Sequence, residues 1–127
     1  MITLKDVVAA RERIQDQIYS SPCAYSETIS RMTANRVMFK LDNLQITGSF
    51  KERGALNRLL ALTPEETKRG VIAASAGNHG MALAFHSQRL GIPSTIVMPV
   101  HAPLIKVASV RRYGARAIPY GSDYDSA

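Results

Sequence analysis

Two short strings hold the residues best suited to chemistry. The first is Thr47-Gly48-Ser49-Phe50-Lys51-Glu52-Arg53-Gly54-Ala55. Its Ser49-x-x-Glu52 spacing is that of a reciprocal helix N-cap, so a helix is expected from Ser49 to about Leu60, with Lys51 in its first turn. A cation there opposes the helix macrodipole, and partial desolvation beside Phe50 would act in the same direction. Both favour the neutral amine, the form that condenses with a carbonyl to give a Schiff base. Glu52 is expected to offset this through a local ion pair with Lys51. Without further context, a lysine on a helix is most simply a solvated surface residue.

The second string is Ser75-Ala76-Gly77-Asn78-His79-Gly80. Small residues leading into a helix expose its first backbone N–H groups, which bind an anion without any charged side chain, and a carboxylate fits such a place. His79 reads first as a loop histidine making structural hydrogen bonds. His86 lies within an apolar helix and His101 in a loop after Pro99. Neither has a second metal-type ligand at suitable spacing, and no metal site is assigned.

The elements around these strings follow from periodicity. Leu4, Val7, Val8, Ile14 and Ile18 mark a first amphipathic helix ending before Ser21-Pro22, and residues 26–34 mark a weaker second one. Arg36 to Leu41 reads as a strand, Asp42 to Gly48 as polar loop. Thr63-Pro64-Glu65-Glu66 opens a short helix that Gly70 stops. Then come an apolar run at Val71–Ala74, a helix through Met81, Leu83, Phe85 and Leu90 to Gly91, a second run at Ser94–Met98, a helix from near Pro103, and a strand at Ala115–Ile118. Apolar strands alternating with helices predict an α/β fold with an open parallel sheet flanked by helices. Ligands of such sheets sit beyond the strand C-terminal ends, which is where Ser75–His79 falls. The tail Gly121–Ala127 has the cap-type residues of a further helix start and suggests a truncated chain.

Composition narrows the class. The chain has 127 residues, 46% hydrophobic and 20% charged, as expected of a globular domain with a real core. A net charge of +6 and a pI near 9.8 raise nucleic acid as a partner. The basic residues are scattered, however, and lack interleaved aromatics, so a small anionic ligand is the better expectation and no nucleic-acid partner is expected. The single cysteine, Cys23, precludes an internal disulfide and reads as a small core residue in a reducing, cytoplasmic setting. No apolar run is long enough for a signal peptide or membrane span, so no membrane partner is expected.

Residues 42–55 closely resemble the pyridoxal-phosphate attachment segment of the serine/threonine dehydratases, enzymes of the tryptophan-synthase-like fold type II. Ser75–His79 resembles the Ser-x-Gly-Asn-His loop of the same family. Ile92 to Pro99 and Lys106-Val107 also read like its smaller, mobile domain. The resemblance implies that Lys51 holds pyridoxal 5'-phosphate as a Schiff base and acts as the catalytic base. It implies that Phe50 packs on or near the ring, that Asn78 lies by the ring near its 3-hydroxyl, and that Ser75, Ala76, Gly77, Asn78 and His79 receive the amino-acid carboxylate. By the same likeness, residues 1–48 belong to the large domain and 49–127 form the small α/β domain, with the rest of the large domain absent.

The implied reaction converts threonine to 2-oxobutanoate, or serine to pyruvate, with release of ammonia, in amino-acid metabolism that includes isoleucine biosynthesis. The family's phosphate-binding glycine cluster and the polar residue that meets the pyridine nitrogen are not encoded here, since the eight glycines are isolated. The fragment alone is therefore expected to be inactive, with one sheet face unpartnered and prone to self-association, and the whole protein is expected to be a homo-oligomer. Two alternatives stand beside dehydration: serine racemisation on the same fold, and a non-catalytic binding module. Family members that racemise serine carry a second serine where this chain has Ala76.

Overall fold

The computed structural model of the chain describes residues 1–123 and 125–127. Helix α1, Leu4–Ile14, starts at Thr3, whose hydroxyl accepts from the Asp6 N–H while Asp6 accepts from the Thr3 N–H at 2.8 Å. It stops four residues short of Ile18, but tight turns back to the Ile14 carbonyl still carry Ile18 into the core. Strand β1, Cys23–Tyr25, helix α2, Glu27–Thr33, and strand β2, Met38–Lys40, follow. The two strands pair antiparallel, Cys23 opposite Lys40, in a ribbon exposed along its whole length. Cys23 is therefore at the surface and not in the core as expected, because a two-stranded ribbon has no buried face to offer it.

The expected loop contains a 3₁₀ turn at Asp42–Leu44, then helix α3, Lys51–Leu60. Its start departs from expectation. Phe50 occupies the cap position without a capping side chain, and Ser49 Oγ accepts only a long 3.4 Å bond from the Lys51 N–H. By contrast, helix α4, Pro64–Arg69, has the full reciprocal cap between Thr63 and Glu66. Gly70 ends it at φ +82°, where a Cβ would strike the Pro93 carbonyl, so glycine is required twice over.

Strands β3, Val71–Ala74, β4, Ser94–Met98, and β5, Arg116–Pro119, alternate with helices α5, Asn78–Leu90, and α6, Leu104–Arg112. They form a parallel sheet in the order β3-β4-β5, with Val71 opposite Ser94 and Thr95 opposite Arg116. Sequential order with crossovers of one hand puts both helices on one face. There Ile96 and Met98 pack with Leu83 and Ala84 of α5, Val110 of α6 and Leu59 of α3. Each large apolar side chain buried in this way contributes roughly 2 kcal/mol. A second cluster, Ile14, Ile18 and Leu56, joins the N-terminal segment to α3.

Alternation along the strands turns the row Ala74, Val97 and Ile118 to the opposite face, with Ile72 70% exposed beside it. No helix of the described residues covers that face. Of the helix start expected at Gly121–Ala127, Tyr124 lies outside the described residues. Asp123 and Ser126 do make the reciprocal pair of a helix N-terminus, Ser126 N–H to Asp123 Oδ1 at 2.9 Å and Asp123 N–H to Ser126 Oγ at 3.1 Å.

Candidate active site

Lys51 is the first residue of α3 and its side chain is exposed. Its Nζ lies 5.0 Å from the centroid of the Phe50 ring, itself 61% exposed, so the desolvation expected of Phe50 is not built by this chain. The ion pair expected with Glu52 is not made either. Glu52 turns inward, 2% exposed, where Oε1 accepts the Thr47 N–H and Oε2 lies 3.4 Å from His86 Nε2. Among the described residues no carboxylate pairs with Lys51, which leaves its amine open to a carbonyl compound.

The chain leading into Lys51 is held tightly. The Gly48 N–H donates to the Gln45 carbonyl at 2.9 Å in a turn with Gly48 at φ +76°. Asp42 accepts two 2.9 Å bonds from Arg53 Nε and Nη2, and further bonds from Ser21 Oγ at 2.5 Å and Gln45 Nε2 at 3.4 Å. The Arg53 hydrogen bonds hold the Asp42 carboxyl well below the usual carboxylate range, against the opposing effect of burial, and Ser21 and Gln45 act with Arg53. Nothing in the local sequence around Asp42 announces this clamp.

At the other string the helix begins at Asn78, with Gly77 as its cap position. Ser75 is buried, and its hydroxyl oxygen accepts from the Gly80 N–H at 3.0 Å and the Gly77 N–H at 3.3 Å. The capping group of α5 is thus Ser75, two residues further back than a cap usually stands. With both lone pairs engaged, Ser75 has only its O–H to offer a ligand. The Ala76, Asn78 and His79 N–H groups have no acceptor among the described residues, and at a helix N-terminus such groups carry partial positive charge. Gly80 presses against the sheet: a Cβ there would lie 3.0 Å from Ile96 Cγ2 and 3.1 Å from the Ser75 carbonyl oxygen.

Helices α3 and α5, which begin at the two strings, pack against each other. A groove of about 510 Å³ between them and β3 is lined by Gly54, Ala55, Ala73 and His79. Lys51, Ser75 and Asn78 are not part of its wall: Lys51 and Asn78 lie exposed outside it, and Ser75 is buried behind the loop. Among the described residues no cluster of histidine, cysteine or acidic residues could hold a metal ion, and no helix is long and apolar enough to cross a membrane. The residue that sequence reasoning misses is His86. Leu83 and His86, with the partly buried Leu90, share the inward stripe of α5 by their three- and four-residue spacing, which is the available signal.

A lone exposed lysine beside an aromatic ring, and a neighbouring helix whose first amides are free, fit pyridoxal phosphate and an amino-acid carboxylate respectively. Residues 14–127 match the pyridoxal-phosphate dependent enzymes, and the chain belongs to that family. Over its full length it is 46% identical to the L-threonine ammonia-lyase of Thermotoga maritima, of which it covers 32%. Among solved structures it superposes on a serine racemase from Dictyostelium discoideum with a TM-score of 0.92 at 37% identity, covering 98% of this chain and 41% of that one. On threonine deaminase isoform 2 from Solanum lycopersicum the TM-score is 0.84 at 34% identity, covering 98% and 36%. The chain spans about a third of the length of the curated relatives it matches.

Proposed function

We propose that the whole protein is a pyridoxal-phosphate-dependent ammonia-lyase that converts L-threonine, and L-serine, to the 2-oxo acid and ammonia. The observation that carries this is the conjunction of an unpaired Lys51 at the head of α3 with the free Ala76, Asn78 and His79 amides at the head of α5. Likeness to threonine ammonia-lyases and deaminases supports the substrate class. The domain division at residue 48, a cytoplasmic location, a homo-oligomer and a place in isoleucine formation belong to the same proposal.

In this reading Lys51 would hold the cofactor through Nζ, with Phe50 and Asn78 the other residues of this chain that would contact it. The chemistry that pyridoxal phosphate supplies when bound is an electron sink for the α-carbon of an amino acid. The chain's own groups do the rest. The α5 amides and the Ser75 hydroxyl hold the substrate carboxylate, with Ala76 and Gly77 small enough for close approach. His79 makes supporting contacts at the loop. Lys51 Nζ would take the α-proton of the bound amino acid and pass a proton to the β-hydroxyl, which leaves as water. Hydrolysis of the resulting enamine gives the 2-oxo acid and ammonia.

Racemisation is the second reading, favoured by the serine racemase neighbour. Ala76 argues against it, since a racemase needs an acid on the face opposite Lys51 and a methyl group has no proton to give. The deciding experiment incubates the whole protein with threonine and serine. Release of 2-oxobutanoate and pyruvate with little D-serine supports the lyase. Abundant D-serine supports the racemase, and neither product with no cofactor bound would leave a binding module.

A further inference from the structure

Glu52 and His86 are enclosed within the described residues, their side chains 2% and 1% exposed, so their surroundings do not depend on what else the whole protein adds. Glu52 is the neighbour of Lys51. His86 sits in α5, the helix headed by the Ser75–His79 loop. One carboxylate oxygen of Glu52 accepts the Thr47 N–H, and the other faces His86 Nε2 at 3.4 Å, a long contact. Neither imidazole nitrogen has a closer partner among the described residues. Burial lowers the His86 pKa from its ordinary value, with Arg89 acting in the same direction and Glu52 opposing.

A buried pair of this kind is poor evidence for stability, because well-packed apolar side chains in its place often do as well or better. What the pair does supply is attachment. Helix α3 has no capping side chain, and the turn that delivers Lys51 runs from Gln45 to Phe50 with Gly48 at φ +76°. Glu52 ties the helix back to that turn at Thr47, beside the Arg53–Asp42 pair that ties it to the loop before, and its second oxygen addresses α5. Three parts therefore meet at one carboxylate: the turn before Lys51, the helix after it, and the helix that carries the amide loop.

We propose that Glu52 and His86 are a positioning pair that sets Lys51 in register with the Ser75–His79 loop for pyridoxal phosphate and substrate. The proposal rests on the reading of Lys51 as the cofactor lysine. Neither residue touches the reacting atoms; both act through the backbone of Thr47 and through α5.

The test uses the whole protein. Amide hydrogen exchange in the unaltered protein should show the Thr47 N–H protected to the same degree as amides of α3, and exchange at the rate of an exposed loop would overturn the proposal without any variant. The rate at which Lys51 takes up pyridoxal phosphate is then read by borohydride trapping and peptide mass. Glu52→Leu combined with His86→Leu substitutes apolar volume for the pair and should hold the melting temperature, yet unprotect Thr47 and slow uptake at Lys51 by about tenfold or more. Glu52→Gln keeps an acceptor for Thr47 and should stay within about threefold of the unaltered rate. A folded double variant with unchanged uptake overturns the proposal, as does a glutamine variant as slow as the double one. If the double variant does not fold, Thr47 exchange decides. Failure of the unaltered protein to trap cofactor at Lys51 would instead remove the functional reading, leaving the Thr47 result to report on the pair itself.

Discussion

Arg53 grips Asp42 with two nitrogens at once, Nε and Nη2 each at 2.9 Å, and so bolts the first turn of α3 to the loop before it. Planar two-point pairing of this sort resists rotation as well as separation. Lys51 lies two residues from the arginine, on the same turn.

Asp42→Asn should cost about 2 kcal/mol at neutral pH, the value of charge-assisted hydrogen bonds to a half-buried partner. Because Asp42 is held below the usual carboxylate range in the folded state, the folded protein binds fewer protons here than the unfolded one. Its contribution is complete above the ordinary carboxylate range and is lost as pH falls through the lowered folded value. Urea unfolding of the unaltered whole protein and of its Asp42→Asn variant should therefore differ most near pH 7 and converge in strong acid. A gap that persists unchanged into acid would show that charge is not what Asp42 contributes.

Lys51→Ala should abolish turnover in the whole protein while leaving the fold intact, since the residue removed is exposed and makes no ion pair or side-chain hydrogen bond among the described residues, its aromatic neighbour Phe50 being exposed as well. Lys51→Arg should be equally inactive, because a guanidinium stays protonated and forms no imine. Release of 2-oxobutanoate together with circular dichroism checks both. Turnover in either variant without added amine would end the assignment.

Gly80→Ala tests how tightly the amide loop is set. In an open helix the change would gain about 0.5–1 kcal/mol. Here the new methyl meets Ile96, fully buried, and Ser75, whose N–H is fixed to the Val97 carbonyl at 2.9 Å. Overpacking of about 1–3 kcal/mol should win. The expected result is a raised KM for threonine with a lowered melting temperature, and a variant stabilised with unaltered KM would show that the loop has room to give.

Ala76→Ser should raise the ratio of racemisation to elimination, by placing a hydroxyl proton on the face opposite Lys51. Chiral chromatography of serine incubated with each form measures it. An unchanged ratio would mean that residue 76 only needs to be small so that the backbone can approach the carboxylate.

The contrast between two similarly spelled helix starts shows where reading from sequence stops. Thr63-Pro64-Glu65-Glu66 is legible because all the partners of its cap lie within four residues. Ser49-Phe50-Lys51-Glu52 has the same spacing, but Glu52 is drawn away by the Thr47 N–H and by His86, far along the chain, and the cap is not formed. Parallel strands and their helices are readable from apolar runs of fixed period, and the two reactive strings from their residue types. The Asp42–Arg53 clamp and the surface position of Cys23 depend on pairings across the fold that no local pattern encodes.

The order β3-β4-β5 also bears on how such a chain is made. Each strand lies beside the one that precedes it, so during synthesis a newly emerged strand finds its neighbour already waiting and need not displace or thread past anything. The row of Ala74, Val97 and Ile118 widens with each addition, and until it is covered it is a surface to which chaperones and other nascent chains can stick. Local assembly on one face thus leaves the apolar row on the other as the exposure to be managed while the chain is being made.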